Sequence, residues 1–214
     1  MSGMLIAEYI LREKKANGTL PANGALVETI VTTDMAKAIA KAYGVKLIEV
    51  LTGFKYIGEQ IKFFEQQNSY EYVFGLEESY GCLAGTYARD KDACVAVMML
   101  CEVAAWCKSN GITLWDDMLS LYGKYGYYKE GLETMTLKGM DGAEKIQSMM
   151  NEMRNNPPKK IGAWDVLALR DYKKDTRTDM TSGEVTPTGL PESNVLYYEP
   201  VSYTHLTLPT TERV

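Results

Sequence analysis

Apolar residues recur at helical spacing near the start of the chain, at Met4, Leu5, Ala7, Ile10 and Leu11, and Asn17-Gly18 stops the pattern. After Gly24 the β-branched run Ala25 to Thr32 predicts a buried strand. A helix then runs from Thr33 or Asp34 to Tyr43, closed by Gly44. Lys46 to Leu51 predicts a second strand, Lys55 to Gln66 a helix, and Tyr72-Val73-Phe74 a third strand. Strand and helix alternating at this spacing define an α/β unit with a parallel or mostly parallel sheet between helices. In such sheets ligands gather beyond the carboxyl ends of the strands.

The next stretch, Arg89-Asp90-Lys91-Asp92, opens a helix that reaches about Ser109. With Cys94, Val95, Val97, Met98, Leu100, Cys101, Val103, Ala104 and Trp106 it is apolar nearly all round, which predicts cover on more than one side. Asp90 is the expected N-cap, with Asp92 in the first turn near the positive end of the helix dipole. Thr113 caps a further helix, Leu114 to Lys124. The pattern changes near Tyr125 to Lys129. A strand is expected over Glu133 to Lys138, an amphipathic helix over Gly142 to Arg154 and a strand over Ala163 to Arg170. The polar stretch Lys173 to Pro191 reads as a long loop or hairpin, and Asn194 to Tyr198 as one more strand. The expected organisation is an α/β domain over 1–126, an α+β layer over 127–199, and a tail over 200–214 with no periodicity, which holds His205.

Composition narrows the function classes. The 214 residues are 46% hydrophobic, enough for a sizeable core, and 23 basic against 28 acidic residues give a net charge of −5. That balance, with no basic stripe interleaved with aromatics, argues against a nucleic-acid partner. No uninterrupted apolar run reaches the roughly 20 residues of a membrane span, and the N-terminus has no signal-peptide pattern, so no membrane partner is expected and the cytoplasm is the default. Cys82, Cys94, Cys101 and Cys107 form no Cys-x-x-Cys pair and have no histidine nearby for a zinc site. The last three fall in the apolar helix, where thiols usually serve as small core residues, and a reducing compartment is implied.

The candidate chemistry lies at strand ends. Gly75-Leu76-Glu77-Glu78-Ser79-Tyr80-Gly81 follows the third strand as a loop whose two carboxylates and hydroxyl can exchange hydrogen bonds with vicinal sugar hydroxyls. A solvated turn has the same composition. Thr52-Gly53 leaves the second strand at the same edge. Arg89 and Lys91 could hold a phosphate, balance Glu77 and Glu78, or simply be solvated. Gly-x-Gly-x-x-Gly and P-loop fingerprints are absent, as are Ser-His-Asp and Cys-His sets; Asp175 and Asp179 are too loosely arranged for a metal loop. These residues define a polar, mixed-charge cleft without a reaction attached.

Three segments in order, Thr52 to Gly58, Gly75 to Gly81 and Ala88 to Ala93, resemble the bacterial phosphoglucomutase/phosphomannomutase family of phosphohexomutases. The similarity extends to about residue 198, through Leu121 to Tyr128 and Arg154 to Pro158. The resemblance implies a three-layer α/β/α sandwich on a small mixed sheet, the family's third domain, followed by an incomplete α+β fourth domain. It implies interconversion of hexose 1-phosphate and hexose 6-phosphate through a bisphosphate intermediate, with an enzyme phosphoserine and Mg²⁺. Glu77 and Ser79 match the loop that grips sugar hydroxyls, Thr52 and Gly53 a neighbouring sugar-contacting loop, and Lys91 a lysine implicated in proton transfer. Arg89 is a weaker match, and Glu78 is compatible with a structural role.

The family's serine loop and its Asp-x-Asp-x-Asp-Arg metal loop have no counterpart in the sequence. A phosphate loop of the Arg-x-Ser-Gly-Thr-Glu-Pro kind is expected after Tyr198, where Pro200 and the tail stand instead. The expectation is therefore an internal fragment, inactive alone, binding no metal itself, whose partners are a hexose phosphate and the missing domains. A stand-alone, non-catalytic sugar-phosphate-binding or scaffold module is the alternative. Glucose and mannose are not distinguished, because the same polar groups serve several epimers.

Overall fold

Ala25 and Val27 face one side of a sheet and Leu26 the other, and that parity organises the first of two compact units, residues 1–131 and 132–214. A computed structural model describes residues 2–79, 81–131, 133–201 and 205–207. In the first unit the sheet has the order β2-β1-β3-β4. β1 (Gly24–Thr29) lies parallel to β2 (Lys46–Val50) and to β3 (Glu71–Glu77), and β4 (Gly81–Ala84) returns antiparallel to β3. A register shift between Ala25 and Leu26 pairs them with Tyr72 and Phe74, so both Val73 and Phe74 join the same core.

Each face of this sheet carries helices. α3 (Phe54–Gln67) buries Phe54, Ile57, Ile61 and Phe64 against Ala25, Val27, Val50, Tyr72 and Leu83. The opposite face is covered by α1 (Ser2–Ala16) and α2 (Met35–Tyr43), joined by α4 (Ala93–Ser109) and α5 (Leu114–Tyr125) through Val103, Cys107, Met118 and Leu121. Burying each large apolar side chain contributes about 1.5–3 kcal/mol, so the two cores together hold the layers. The result is a three-layer α/β/α sandwich on a mixed sheet.

In the second unit, α6 (Gly139–Asn155) contributes Met150 to a core with Val166, Leu169, Leu196 and Tyr198. Its antiparallel sheet runs β10-β9-β6-β7-β8, with β5 (Lys160–Ile161) also on β6 (Trp164–Asp171). Lys173 to Pro191 is a hairpin, since β7 (Thr176–Asp179) pairs with β8 (Val185–Thr186). Asp175 and Asp179 accept backbone N–H bonds from Thr188 and Gly189, and from Thr181 and Ser182, which makes them turn formers. β9 (Leu196–Pro200) extends the expected strand, and β10 (His205–Thr207) from the tail pairs with it. Residues 202–204 and 208–214 lie outside the described residues.

Four local expectations are corrected. Residues 133–138 form no strand; their apolar Met135 is exposed and no neighbouring strand pairs with them. Asp92, not Asp90, caps α4, its carboxylate accepting from the N–H groups of Cys94 and Val95. Gly75 to Glu77 is strand rather than loop. α4 is covered on one side only: it packs on the edge strand β4 and on α1 and α5, leaving Val97 and Met98 63% and 52% exposed, together with Cys94 and Cys101. A nearly all-apolar helix shows that few charges turn a face outward, yet β4, α1 and α5 together cover only one of its sides.

One buried acid has no such provision. Glu28 of β1 is 2% exposed, sits beside Glu49 in the parallel register, and leaves its Oε2 without a hydrogen bond. Burial above all, and then Glu49, push its carboxyl well above the usual carboxylate range, against the pull of Lys37. Folded Glu28 thus keeps its proton at pH values where the unfolded chain has lost it, so stability falls as pH rises from the unfolded value toward the folded one. Glu28→Gln is expected to flatten that decline and to gain roughly 1 kcal/mol at about pH 9, read from urea unfolding across the pH range. Parallel pH profiles for the two proteins would contradict the assignment.

Candidate functional site

Three connections meet at the carboxyl ends of β2 and β3. Thr52-Gly53 passes from β2 into α3, the β3–β4 hairpin turns at Glu78-Ser79, and Asp90-Lys91 leads into α4. Together with Phe54, Lys55 and Glu77 they line a depression of about 490 Å³. Gly53 enters the helix with φ of +111°, a conformation that L side chains rarely adopt.

Glu77 is the best-buried acid of this group, its side chain 2% exposed, and its Oε1 accepts from Lys91 Nζ at 2.5 Å. The Lys91 side chain is 46% exposed, so the ammonium sits between the carboxylate and solvent. Its hydrogen bond to Glu77 raises the Lys91 pKa, opposed by partial desolvation and supported by the charges of Glu77, Asp90 and Glu78. The pair fits because Gly81 has no side chain: a Cβ there would lie 2.7 Å from Glu77 Oε1 and 2.8 Å from Lys91 Cδ.

Backbone contacts set where Lys91 stands. Asp92 N–H donates to the Cys82 carbonyl at 3.0 Å, tying the segment to β4, and Tyr87 donates its hydroxyl to Asp92 Oδ2 at 2.6 Å. That bond holds the Asp92 carboxyl below its ordinary range and pushes the Tyr87 hydroxyl up to about 12. Farther back, the Arg89 carbonyl lies so close to Gly58 of α3 that any Cβ there would collide with it.

Of the residues singled out from the sequence, Thr52, Gly53, Glu77, Ser79 and Lys91 surround one depression. Arg89 is not among its lining residues. Its Nη2 bonds both carboxylate oxygens of Glu65 at 2.7 and 2.8 Å, and its Nη1 bonds the Thr86 carbonyl. Lys55 and Asp90 line the depression without having been picked out for it; Lys55 could have been found from its place in the first turn of the helix after Thr52-Gly53. Glu78 lines it too, and its Oε2 accepts from Thr29 Oγ1 at 2.8 Å. Among the described residues no group of three or more His, Cys, Asp and Glu side chains could hold a metal ion. Carboxylates, a hydroxyl and ammonium groups around a shallow polar depression can accept from and donate to a polyhydroxylated ligand.

Fold and site together define an α/β/α module with a polar depression at its strand ends. The family model "Phosphoglucomutase/phosphomannomutase, alpha/beta/alpha domain III" matches residues 1–125, and the chain belongs to the phosphoglucomutase/phosphomannomutase family. It is 34% identical over 194 residues to a phosphoglucomutase of Staphylococcus epidermidis, covering 91% of this chain and 34% of that protein. A Staphylococcus aureus phosphoglucomutase is 33% identical over 171 residues, covering 80% of this chain and 31% of its own length. The chain thus spans about a third of the length of these relatives. The open form of the Paramecium phosphoglucomutase pp63/parafusin matches in structure with a TM-score of 0.51 and 16% identity, over 92% of this chain and 32% of that one, a likeness of fold.

The Glu77–Lys91 pair makes a direct prediction. Lys91→Met leaves a buried carboxylate without its cation and is expected to cost roughly 1–2 kcal/mol, the exposure of Lys91 keeping the loss modest. In a cycle with Glu77→Gln, chemical denaturation should show a double-variant loss smaller than the sum of the two single losses by roughly 1 kcal/mol. Strict additivity would mean the two side chains do not interact.

Proposed function

We propose that this chain supplies the sugar-gripping part of a phosphohexomutase, an intramolecular phosphotransferase that interconverts hexose 1-phosphate and hexose 6-phosphate. The observation that carries it is the convergence of Glu77, Ser79, Thr52, Gly53 and Lys91 on one depression at the ends of β2 and β3. Such a reaction needs the sugar held in two opposed orientations, each phosphate taking its turn at the reacting position. Recognition of vicinal ring hydroxyls suits that need, because a hydroxyl pair can offer similar donors and acceptors after the ring is turned over. Glu77 accepts from one hydroxyl, Ser79 exchanges a hydrogen bond with its neighbour, and the backbone at Thr52-Gly53 bounds the ring.

Lys91 acts beside them. A hydroxyl placed between Lys91 Nζ and Glu77 Oε1 donates to the carboxylate and accepts from the ammonium, so it enters without leaving either charge unpaired. The hydrogen bond to Glu77 raises the Lys91 pKa, which makes its ammonium a weaker acid. That favours a role as a hydrogen-bonding cation beside an oxygen that gains negative charge, with proton transfer reserved for an oxygen basic enough to take it. Arg89, held by Glu65, stays with the wall of the module unless the ligand draws it away. The phosphoserine and Mg²⁺ of the complete reaction belong, in this proposal, to segments other than the residues described above.

Calorimetry with glucose 1-phosphate and glucose 6-phosphate tests the proposal. Both should bind the chain weakly, at about millimolar strength, with similar constants, and Glu77→Ala/Ser79→Ala should weaken each at least roughly ten-fold, the loss of two hydrogen bonds. A coupled assay on the purified chain alone should show no interconversion. Absence of binding, or binding indifferent to Glu77 and Ser79, sinks the proposal; submillimolar binding without turnover favours an independent sugar-phosphate-binding module.

A further inference from the structure

Successive residues of a strand point to opposite faces, yet Glu77 and Glu78 both line the same depression. The register explains how. Ala25 and Val27 of β1 face α3, and so by alternation does Thr29, the last residue of that strand. Thr29 is 1% exposed, and its Oγ1 donates to Glu78 Oε2 at 2.8 Å across 49 positions of sequence. Glu78 is the first residue past the end of β3, free of the strand's parity, and the buried hydroxyl draws its carboxylate toward the face that Glu77 occupies.

A proton count fixes the direction of the next bond. Thr29 Oγ1 and Thr32 Oγ1 lie 2.9 Å apart. Thr29 has one hydroxyl proton, and it is given to a carboxylate that has none to return, so Thr32 is the donor to Thr29. The chain of donation is Thr32 to Thr29 to Glu78. A hydroxyl that accepts one bond donates a stronger one, which sharpens the hold on the carboxylate.

We infer that Glu78 is a further ligand-contacting acceptor of the depression and that Thr29, backed by Thr32, is its positioning residue. One carboxylate oxygen is fixed by Thr29 and the other is left to accept from a ring hydroxyl. The two adjacent acids then divide the work. Glu77 acts with Lys91 as a charge pair that a hydroxyl can bridge, while Glu78 acts as a fixed acceptor with no cation within hydrogen-bonding distance among the described residues. A ligand with two hydroxyls on neighbouring carbons meets both. The inference rests on the hexose-phosphate reading for the identity of the ligand, and on the Thr29–Glu78 bond for the positioning.

The test uses the full chain, glucose 1-phosphate and glucose 6-phosphate as probes, and the variants Thr29→Val, Thr29→Ser and Glu78→Gln, followed by ¹H–¹⁵N spectra and amide hydrogen exchange. Thr29→Val and Glu78→Gln should each weaken both ligands roughly three- to ten-fold, as expected for one hydrogen bond to a charged group. The double variant should be no weaker than Glu78→Gln alone, because Thr29 acts through Glu78. Thr29→Ser, which keeps the hydroxyl, should bind within about two-fold of the parent, a rescue that loss of packing would not give. Exchange of the Glu78 and Ser79 amides should quicken in Thr29→Val and not in Thr29→Ser.

If Thr29→Val and Glu78→Gln bind like the parent while Glu77→Ala does not, the inference is overturned and the hexose-phosphate reading stands. If the parent binds neither probe, that reading and the ligand-contacting role fall together, and turn amides that exchange alike in Thr29→Val and Thr29→Ser then overturn the positioning role as well. Should Thr29→Val fail to fold, Glu78→Gln binding like the parent is sufficient to reject the contact.

Discussion

The candidate site depends on one ion pair, Glu77 with Lys91, because burying a carboxylate to this degree is costly unless a cation stands within hydrogen-bonding distance of it. The local architecture follows from that requirement. Gly81 opposite Glu77 in the hairpin leaves room for both side chains, and the bond from Asp92 N–H to the Cys82 carbonyl fixes the backbone next to Lys91. The N-cap at Asp92 then starts α4 at that point rather than two residues earlier. Capping at Asp90 would draw Lys91 into the first helical turn, with its side chain committed to the helix surface. The cap one residue beyond Lys91 keeps the lysine in the extended segment, free to reach β3.

Two other buried acids in the same unit show what the pair achieves. Glu8 of α1 accepts from Arg12, from the Tyr43 hydroxyl and from Lys124, so its charge is balanced and its oxygens are satisfied, and it joins α1, α2 and α5. Glu28 has Glu49 beside it in the register and an unbonded oxygen, and burial first and then Glu49 push its carboxyl well above the usual carboxylate range. Glu77 lies between these cases. It has one cation, itself half in solvent, which a ligand can share or displace. A fully satisfied acid such as Glu8 could not receive a hydroxyl without breaking a bond, and an acid whose burial favours its neutral form, as at Glu28, would be the weaker acceptor.

The sheet and the polar depression at its strand ends were legible in the sequence because both rest on local patterns. The β-branched run from Ala25, the helical stripe of α3 and the strand-end placement of Thr52-Gly53 and Glu77 to Ser79 need no knowledge of distant partners. What sequence could not show was pairing. Residues 133–138 have a strand-like alternation, but a strand exists only where a neighbour takes its hydrogen bonds, and none does. Arg89 looked like Lys91 in sequence, two residues apart on one polar run. The approach of its carbonyl to Gly58 places it by α3, where Glu65 takes the guanidinium in both oxygens. Thr29 gave no sequence signal at all, since a threonine ending a β-branched run is ordinary and its partner lies 49 positions away.

Strand order explains why these contacts converge. β1 is central and β3 its parallel neighbour, so their carboxyl ends emerge side by side, and Thr29 stands next to the turn that carries Glu78. β4 runs back antiparallel as far as Ala84, which pairs with Phe74 in the middle of β3, so the segment leading to α4 starts away from the carboxyl ends of the parallel strands. That segment must return along the face of α3, over Gly58, before Lys91 reaches Glu77. A parallel fourth strand would have delivered its own loop directly to the depression. The antiparallel return instead requires the connection over residues 85–92, held by the Cys82 carbonyl and the Arg89–Glu65 bond, and that connection presents a lysine to the depression. The mixed topology of this sheet is thus the reason that Glu77 and Glu78 come from the end of β3 and Lys91 from the connection.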